Sequence, residues 1–481
     1  MPDADESNCD DPSAMPGLAP PPDALPDVRV PPPGPLSRSW LARLKAVESP
    51  DVTAVSDDFP VVWASARGAA VRDVDGNTYV DATSAFGVAL IGHGHPEVVA
   101  AARHQAGLLC HAMGDVHPSM ARIELLELLQ ELAPGDLGHG VLCTGGSEAV
   151  EVALKTAVLA TGRPGVVAFS GSYHGMGHGA LAVTSRRDFR NPFSTQLAHN
   201  TVWVPFPDPL HPPRGVRSAD LLAHVLGCVE AQLSHPAMGG VAIGAVLVEP
   251  IQGRGGTVVP PDGFLRGLRD LCDRTGTLLI FDEIFTGLGR TGTWFAGDHE
   301  GVVPDLLCVG KALGGGFPIS ACLGRPAAMA AWGEARGEAL HTSTFLGHPV
   351  AAAAAVATLK VMQRERIPRL AAQVGAALEA RLRQRLHGQP WVAEIRGRGL
   401  MLGVELRDPR TGQPARAAAW ATVLAALQRG LLLLSCGVHG QVVQLTPPAV
   451  LTPAQIEAIA DGLAAALDVA TSAQPPIPAG P

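Results

Sequence analysis

Lys311 is the residue of this sequence whose setting points most directly to chemistry. It follows an apolar run that ends on Gly310, and three glycines at positions 314–316 come soon after it. The chain has only four lysines, at positions 45, 155, 311 and 360, and arginine supplies the other basic residues. A desolvated lysine can lose its proton and bond a carbonyl carbon, which arginine cannot do. The alternative is a lysine whose amine reaches solvent from a strand edge, and Lys311 alone does not decide between the two.

Asp282 is the second candidate, because four apolar residues at positions 278–281 deliver it and Glu283 to a predicted strand end. A buried carboxylate needs a positive or protonated partner. A protonated pyridine nitrogen meets that need, as do magnesium or a role as catalytic base. A helix N-cap or a Walker B acid would be structural alternatives, but no G-x-x-x-x-G-K-[ST] loop supports a Walker B assignment.

Two glycine-containing loops complete the set. Gly145, Gly146 and Ser147 join a short apolar run to a predicted helix, where backbone N–H groups and the helix dipole attract a phosphate. The alternative is an ordinary turn with Ser147 as the N-cap. Tyr173, one of two tyrosines in the chain, follows another predicted strand in a glycine-flanked loop. Its ring is suited to stacking on a flat cofactor or to packing on its own neighbours.

In chain order these loops supply a phosphate site, an aromatic plate, a carboxylate and a lysine. Each follows a predicted strand, at the sheet edge where open α/β sheets bind ligands. The combination predicts a site for pyridoxal 5′-phosphate (PLP), in which Asp282 keeps the ring nitrogen protonated and Lys311 bonds the aldehyde and later moves a proton. The loop histidines at positions 93, 95, 111, 117, 174 and 178 lack consistent ligand spacing, so no metal site is predicted.

Apolar strands that alternate with helices position these loops. They predict an α/β fold with a mostly parallel central sheet, covered by helices on both faces. The predicted strands span 140–143, 165–170, 243–249, 278–282, 306–310 and 320–323, and helices span 119–132, 147–161 and 264–275. After Pro349 the pattern changes to a smaller α+β domain, with helices at 350–364, 370–386, 417–429 and 453–467, a strand-like segment at 395–406 and a hairpin-like segment at 431–446.

The predicted domain organisation follows from this pattern and from the proline-rich ends. Residues 1–37 contain eleven prolines and are expected to be disordered or loosely draped, as are residues 471–481. Residues 38–90 are an N-terminal segment that packs with the small domain. Residues 91–345 form the large cofactor-binding domain, and residues 346–470 form the C-terminal small domain.

The composition narrows the compartment and the partners. A net charge of −9 without any basic run argues against nucleic acid and anionic membranes as partners. The eight cysteines are scattered without a C-x-x-C pair, which indicates a reducing compartment and hence the cytoplasm. The N-terminus lacks the apolar segment of a secretory signal, and no run of 18 uncharged apolar residues is present.

With these residues in view, the chain resembles the class III (ω-amino acid type) aminotransferases of PLP fold type I, over about residues 50–468. The most specific match is the run DEIFTGLGRTG that starts at Asp282, together with GKALGGG from Gly310. Further matching runs lie at 90–96, 144–149, 173–175, 248–253, 344–345 and 396–401.

The resemblance implies a homodimer with active sites at the subunit interface and ping-pong transfer of an amino group to a 2-oxo acid. It also implies a role for each matching residue. Lys311 would carry PLP, Asp282 would meet the pyridine nitrogen, Tyr173 would stack on the ring, Gln252 would approach the phenolic oxygen, Gly146 and Ser147 would hold the phosphate, and Thr344 would reach in from the partner subunit.

Two positions depart from the family pattern. Many relatives have glutamate where this chain has Arg254, and arginine where it has Gln444, three residues before Pro447. We hypothesise that Arg254 supplies a guanidinium for a substrate carboxylate from the opposite wall, with Gln444 as its hydrogen-bond neighbour. The alternative is a loop arginine that faces solvent. Phe86 is a candidate pocket wall by the same resemblance.

The expected function is transfer of an amino group from an ω-amino acid, diamine or related amine to a 2-oxo acid. An intramolecular aminomutase is an alternative on the same scaffold, and a non-catalytic PLP-fold binding protein is a third possibility. The retained Lys311, Asp282 and phosphate loop argue against the binding protein.

Overall fold

Parallel strands joined by helices form the centre of the structure, a computed structural model that describes residues 19–234, 240–335 and 337–472. The strands in these ranges are β1 (Trp63–Arg67), β2 (Ala70–Asp73), β3 (Thr78–Asp81), β4 (His139–Cys143), β5 (Gly165–Phe169), β6 (Thr201–Val204), β7 (Ile243–Val248), β8 (Leu278–Asp282), β9 (Leu306–Val309), β10 (Ser320–Gly324), β11 (Val392–Arg398), β12 (Met401–Leu406), β13 (Leu431–Leu432), β14 (Leu434–Cys436) and β15 (Val442–Leu445).

Helices connect and cover these strands. They are α1 (Pro35–Val47), α2 (Ser84–Gly87), α3 (Pro96–Leu108), α4 (Met120–Leu132), α5 (Gly146–Thr161), α6 (His178–Ala182), α7 (Arg187–Arg190), α8 (Leu221–Ser234), α9 (Phe264–Thr275), α10 (Pro326–Met329), α11 (Pro349–Arg364), α12 (Ile367–Arg385), α13 (Arg416–Leu427) and α14 (Pro453–Ser472). Among the described helices, none is both long and apolar enough to cross a membrane.

The large sheet has the strand order β4-β10-β9-β8-β7-β5-β6. Its β5–β6, β5–β7, β7–β8 and β8–β9 pairs are parallel, and only β10 runs antiparallel to its neighbours β4 and β9. The strands are apolar on both faces because both faces are covered. Val246 and Val248 pack with α8 and α9, whereas Ala245 and Leu247 pack in a second core with α5. The predicted α/β architecture is confirmed.

Two four-stranded sheets flank this centre, ordered β1-β2-β3-β13 and β11-β12-β15-β14. The first joins distant parts of the chain, because β13 pairs with β3 at Val80 and Asp81. Helix α11 packs on α3 and α4, so residues after position 346 also contact the large domain. The exact division into domains at 38–90, 91–345 and 346–470 stays a prediction.

The expected single strand-like segment at 395–406 is instead a hairpin of β11 and β12. The chain reverses between Arg398 and Met401, where Gly399 adopts a left-handed conformation with φ 55°. A residue with a Cβ strongly disfavours this conformation. The glycine therefore marks a turn inside an otherwise continuous apolar pattern.

Residues 19–37, which we expected to be disordered or loosely draped, form hydrogen bonds with the folded chain, whereas residues 1–18 lie outside the described ranges. The Asn77 side chain accepts hydrogen bonds from the backbone N–H groups of Arg29 (2.9 Å) and Val30 (3.0 Å) and donates to the Val30 carbonyl (2.9 Å). The Asp75 carboxylate accepts from the N–H groups of Leu36 and Ser37 at the start of α1. These hydrogen bonds help to offset the entropy that this proline-rich segment loses when it becomes ordered. At the other end, residues 471 and 472 belong to α14, and residues 473–481 lie outside the described ranges.

We expect the Asn77→Ala variant to lose about 2–4 kcal/mol of unfolding free energy, because the partly buried backbone groups of residues 29 and 30 and the buried Asp73 carboxylate lose hydrogen bonds to the Asn77 side chain. Limited proteolysis and urea unfolding measure the effect, with cleavage expected before position 35. The exposed Asn191 provides the matched control Asn191→Ala. Equal stability of the two variants would show that the N-terminal segment does not depend on Asn77.

Candidate active site

Two neighbouring parallel strands bring Asp282 and Lys311 to the same edge of the large sheet. Asp282 ends β8, and it lies opposite Cys308 of β9 in the strand register. Lys311 follows Cys308 by three residues and begins a 3-10 turn, Lys311–Gly314. Its φ of 42° is left-handed, an unfavourable conformation for a residue with a side chain, and such strain is concentrated at functional sites. The two residues that the sequence paired are therefore placed together by strand pairing.

The Lys311 amine lies beside an aromatic ring and near charges of both signs. Its Nζ lies 4.6 Å from the ring centroid of Phe285, and it has no hydrogen-bond or ion-pair partner within the described chain. Burial is the main cause that lowers the pKa of Lys311. The charges of Asp282 and Glu249 oppose this shift, and those of Arg254 and Arg290 reinforce it. The amine is therefore easier to deprotonate than an exposed lysine.

The Asp282 carboxylate is buried and held on both oxygens. Its Oδ2 lies 2.7 Å from Nδ1 of His174, and its Oδ1 accepts a hydrogen bond from the Ile284 N–H at 3.1 Å. The His174 N–H donates to the Thr184 hydroxyl at 2.9 Å, while the ring nitrogen Nε2 has no partner in the described chain. This contact of His174, one of the loop histidines without consistent ligand spacing, was not predicted. Its position directly after Tyr173 was the available signal.

Glu283, the other half of the carboxylate pair, faces away from this contact. Its buried carboxylate accepts hydrogen bonds from the N–H groups of Ala296 (2.6 Å) and Gly297 (3.0 Å) and from the Thr286 hydroxyl (3.0 Å). Burial raises the pKa of Glu283 to about 7, although these donors oppose the shift. Glu283 therefore holds the 296–297 turn in place.

A further buried carboxylate, Glu249, organises the loop edge. It accepts hydrogen bonds from the backbone N–H groups of Tyr173 and Gly253, both at 2.9 Å. Burial raises its pKa to about 7, and the charge of His174 lowers it. Glu249 lies in the run 248–253 that resembles the family, but no role was predicted for it. Gln252 is also buried, and its amide donates to the Ser170 carbonyl at 2.8 Å, which ties the loops after β5 and β7 together.

The start of α5 is open to an anion. Gly145 is the N-cap residue and no side chain caps the helix, so the alternative of Ser147 as N-cap is wrong. The first N–H groups of a helix have no intrahelical acceptors. A Cβ at Gly146 would lie 2.8 Å from the Ile284 side chain, so only glycine allows this close packing. The Ser147 hydroxyl accepts a hydrogen bond from the Gly177 N–H at 2.9 Å.

The three candidate substrate residues are placed differently. The Arg254 guanidinium carbon lies 4.9 Å from the ring centroid of Tyr173 and 6.0 Å from that of Phe86. The Gln444 amide donates to the Gly253 carbonyl (3.1 Å) and the Thr257 hydroxyl (3.0 Å). The prediction that Gln444 forms a hydrogen bond with the Arg254 side chain is therefore wrong. Gln444 instead binds other residues of the loop that carries Arg254.

Thr344 is not brought to Lys311 by any contact in the described chain. It is exposed, and its side chain has no partner within the described ranges. Its expected position in the active site of a partner subunit stays a prediction.

Arg290 is a functional neighbour that the sequence analysis did not single out. Its fully buried guanidinium donates to the backbone carbonyls of Leu400, Thr446, Pro447 and Gly87, at 2.6–3.2 Å. Burial lowers its pKa to about 9. Because Gly87 follows Phe86, Arg290 fixes the Phe86 turn to the C-terminal region.

One candidate metal-binding cluster occurs in the described ranges, at His95, Glu97 and Glu365. The Arg364 guanidinium already forms ion pairs with both carboxylates, at 2.6 Å and 2.8 Å. A cation would have to compete with this arginine, so the cluster does not support a metal site.

Comparison with known proteins identifies the class. The family model described as Aminotransferase class-III matches residues 52–467, and this chain belongs to that family. It is 37% identical to the 5-aminovalerate aminotransferase DavT of Pseudomonas aeruginosa, over 88% of this chain and 97% of that protein. It is 34% identical to an alanine/serine racemase of Pyrococcus horikoshii, over 89% of each protein. A solved (S)-enantioselective omega-transaminase from Thermomicrobium roseum matches with a TM-score of 0.83 and 29% identity, over 90% of this chain and 99% of that one.

The protein is therefore a PLP-dependent aminotransferase of fold type I. The residues present fit this cofactor. An uncapped helix N-terminus suits its phosphate, a buried carboxylate suits its ring nitrogen, and an unpaired lysine suits its aldehyde. The predicted family, fold type and cofactor are confirmed.

Glu283→Gln tests the structural role of the second carboxylate through pH. The folded pKa near 7 lies above the unfolded value near 4.5, so the stability linked to this proton is fully present below pH 4.5 and is lost as the pH rises through 7. We expect the stability advantage of the native protein over Glu283→Gln to be larger at pH 5 than at pH 8, by roughly 2–4 kcal/mol.

Urea unfolding at the two pH values measures this difference. The exposed Glu131 gives the matched control Glu131→Gln, for which we expect no such dependence. An advantage that grows with pH would contradict the assignment.

Proposed function

We propose that this enzyme transfers an amino group from an ω-amino acid, diamine or related amine to a 2-oxo acid by a ping-pong mechanism. The observation that carries the proposal is the unpaired Lys311 amine beside the buried Asp282 carboxylate. Relatives named for 5-aminovalerate and for 4-aminobutyrate support the amine class. The 4-aminobutyrate aminotransferase is that of Mycobacterium leprae, which is 33% identical over 90% of this chain.

When bound, PLP supplies a ring that withdraws electrons and stabilises negative charge at the substrate carbon. The Asp282 carboxylate would face the pyridine nitrogen and favour its protonated form. His174 orients the carboxylate through the 2.7 Å contact at Oδ2. The Asp282 carboxylate at the end of β8 would thus supply the one negative charge that a protonated ring nitrogen needs as its partner.

Lys311 has two roles in the proposal. Its amine would hold the cofactor through the aldehyde, and its Nζ, when free, would accept and return a proton at the substrate carbon. Burial lowers the pKa of Lys311, which raises the fraction of amine able to accept that proton at neutral pH. The Phe285 ring beside Nζ limits access of water.

The remaining cofactor contacts orient the ring. The N–H groups of Gly146 and Ser147 would bind the phosphate at the start of α5. Tyr173 would stack on the ring, and Gln252 would approach the phenolic oxygen. Glu249 supports both positions, because it accepts from the Tyr173 N–H and from the Gly253 N–H directly after Gln252.

A homodimer is part of the proposal, and an exposed apolar patch supports it. The patch comprises Leu108, Leu109, Met113, Val116, Met120 and Phe345, each between 43% and 87% exposed. The His111 ring lies 5.3 Å from that of Phe345, so the segment around position 111 adjoins the loop that carries Thr344. Contiguous exposed apolar surface of this kind typically marks an interface. A dimer formed through it would bring Thr344 to a second active site.

We also propose a cytoplasmic location. The cysteines at positions 110, 143, 228, 272, 308, 322 and 436 are unpaired, which suits a reducing compartment.

A single-turnover amine screen tests the reaction. With amine alone, we expect the visible absorbance of the bound cofactor to disappear and a free keto product to be released. Borohydride should fix the cofactor to the peptide that contains Lys311. Lys311→Ala should lower kcat by about 10³-fold or more, whereas the exposed control Lys360→Ala should retain activity.

Two outcomes would redirect the proposal. A rearranged amine without keto product would indicate an aminomutase. Inversion of alanine or serine at the α-carbon, without net transfer, would indicate the activity named for the Pyrococcus relative.

Met120→Asp with Val116→Asp tests the dimer. We expect this double variant to be monomeric by size-exclusion chromatography with light scattering and to lose most of its activity, because charges are costly in a buried interface. Val469→Asp, at another half-exposed apolar residue, should remain dimeric. A native protein that is monomeric and fully active would contradict the proposal.

A further inference from the structure

The loop at residues 253–257 is held rigidly at the edge of the site. Backbone hydrogen bonds join Gln252 to Val258 in both directions, and the Gly256 and Thr257 N–H groups donate to the Gly253 carbonyl. The Arg396 guanidinium donates to the Gly256 carbonyl at 2.6 Å and to the Thr257 carbonyl at 3.1 Å. The loop is therefore a fixed platform for the side chain that it presents.

That side chain is Arg254, whose own backbone carbonyl accepts a hydrogen bond from the Gly437 N–H at 3.0 Å. Gln444 fixes the loop from a further side through the Gly253 carbonyl. With its backbone held in this way, Arg254 extends a half-buried guanidinium to within 4.9 Å of the Tyr173 ring centroid and 6.0 Å of the Phe86 ring centroid. A guanidinium is attracted to aromatic ring faces, so both rings hold it in position.

No carboxylate in the described chain forms an ion pair with Arg254. The other guanidiniums near the site are already engaged. Arg290 donates to four backbone carbonyls. Arg396 forms ion pairs with Glu394 at 2.8 Å and with Glu405 at 2.7 Å. Of the guanidiniums near Lys311 in the described ranges, Arg254 is therefore the one whose paired N–H donors are available to bind a ligand.

The Phe86 turn that forms the second wall is itself strained. Ser84, Ala85, Phe86 and Gly87 have φ values of 47°, 48°, 62° and 83°, so three residues with side chains adopt a left-handed conformation in succession. The Ser84 hydroxyl donates to the Thr446 carbonyl at 2.6 Å and helps to hold the turn. The turn keeps the Phe86 ring exposed, at 57% of its surface, and directed at Arg254.

We propose that Arg254 is the carboxylate receptor of this active site, that Phe86 and Tyr173 are its walls, and that the substrates it selects carry a carboxylate. The guanidinium offers two parallel N–H donors, which match the two oxygens of a carboxylate. The inference rests on the proposed function, because it takes the site around Lys311 as the one where amine and 2-oxo acid react. The distal carboxylate of an ω-amino acid and the distal carboxylate of a dicarboxylic 2-oxo acid would bind in turn at this guanidinium.

Charge coupling between the two residues supplies a second signature. The positive charge of Arg254 lowers the pKa of Lys311. A carboxylate bound at Arg254 would add a negative charge near the Lys311 nitrogen and should favour the protonated form of that nitrogen when it holds the cofactor. The pH midpoint of the cofactor absorbance should therefore move upward when such an anion binds, whereas an anion bound far from Lys311 should not produce this shift.

Glutarate is the probe, because it is a saturated dicarboxylate with no amine or keto group. We expect it to bind the holoenzyme and to raise the pH midpoint of the visible absorbance. In Arg254→Gln we expect glutarate affinity to fall at least about tenfold and the midpoint shift to vanish. Arg254→Lys keeps the charge without the paired donors and should give an intermediate loss. The exposed, ion-paired Arg217 provides the control Arg217→Gln, which should bind glutarate as the native enzyme does.

Turnover provides a second measurement. The ratio of kcat/KM for a carboxylate-bearing amine to that for a carboxyl-free amine should fall about tenfold or more in Arg254→Gln. The visible absorbance of bound cofactor reports that each variant has folded, and Arg254→Lys decides the matter if Arg254→Gln does not bind cofactor.

The results separate the two proposals. Unchanged glutarate affinity and an unchanged substrate ratio in Arg254→Gln would overturn the receptor while leaving the aminotransferase intact. Weaker glutarate binding in that variant, combined with a native enzyme that transfers no amino group, would support the receptor and overturn the proposed substrate reaction.

Discussion

The parallel pairing of β8 with β9 is the constraint on which the site depends. The register that sets Asp282 opposite Cys308 also fixes how far Lys311 lies from the carboxylate. A one-residue slip would reverse the face of every side chain on the slipped strand, and the fully buried residues of β9 resist such a slip because they pack on both faces. The same edge receives the loops after β5 and β7. Strand order thus converts four separate segments into one site.

Several carboxylates near the site are buried. The hydrogen-bond partners of each carboxylate determine its role. Glu249 and Glu283 accept hydrogen bonds mainly from backbone N–H groups. Such donors fix loops, and burial nonetheless raises the pKa of each carboxyl to about 7. Asp282 instead faces His174, whose far nitrogen has no partner in the described ranges. Asp282 therefore has a side-chain partner at the end of β8, while the backbone-bound carboxylates keep the surrounding loops in place.

Features that depend on local sequence patterns were predicted from the sequence, whereas features that depend on contacts between distant parts of the chain were not. Helix α9 has the predicted bounds, Phe264–Thr275, because its apolar residues follow the helical period. Asp282 and Lys311 were found because each follows an apolar strand. The order of residues 19–37 was missed because it depends on Asn77, 47 and 48 residues further along than its partners Val30 and Arg29. Arg290 was missed because its acceptors are backbone carbonyls, which leave no mark on a sequence.

The positions of Arg254 and Gln444 are coupled through the 253–257 loop. Gln444 lies on β15, and its neutral amide donates to a carbonyl and a hydroxyl of this loop. Arg396 on β11 donates to the same loop and forms ion pairs with Glu394 and Glu405. Because a neutral donor at position 444 holds the loop without adding charge, Arg254 is the cation that the loop presents. The two departures from the family pattern therefore meet in one loop.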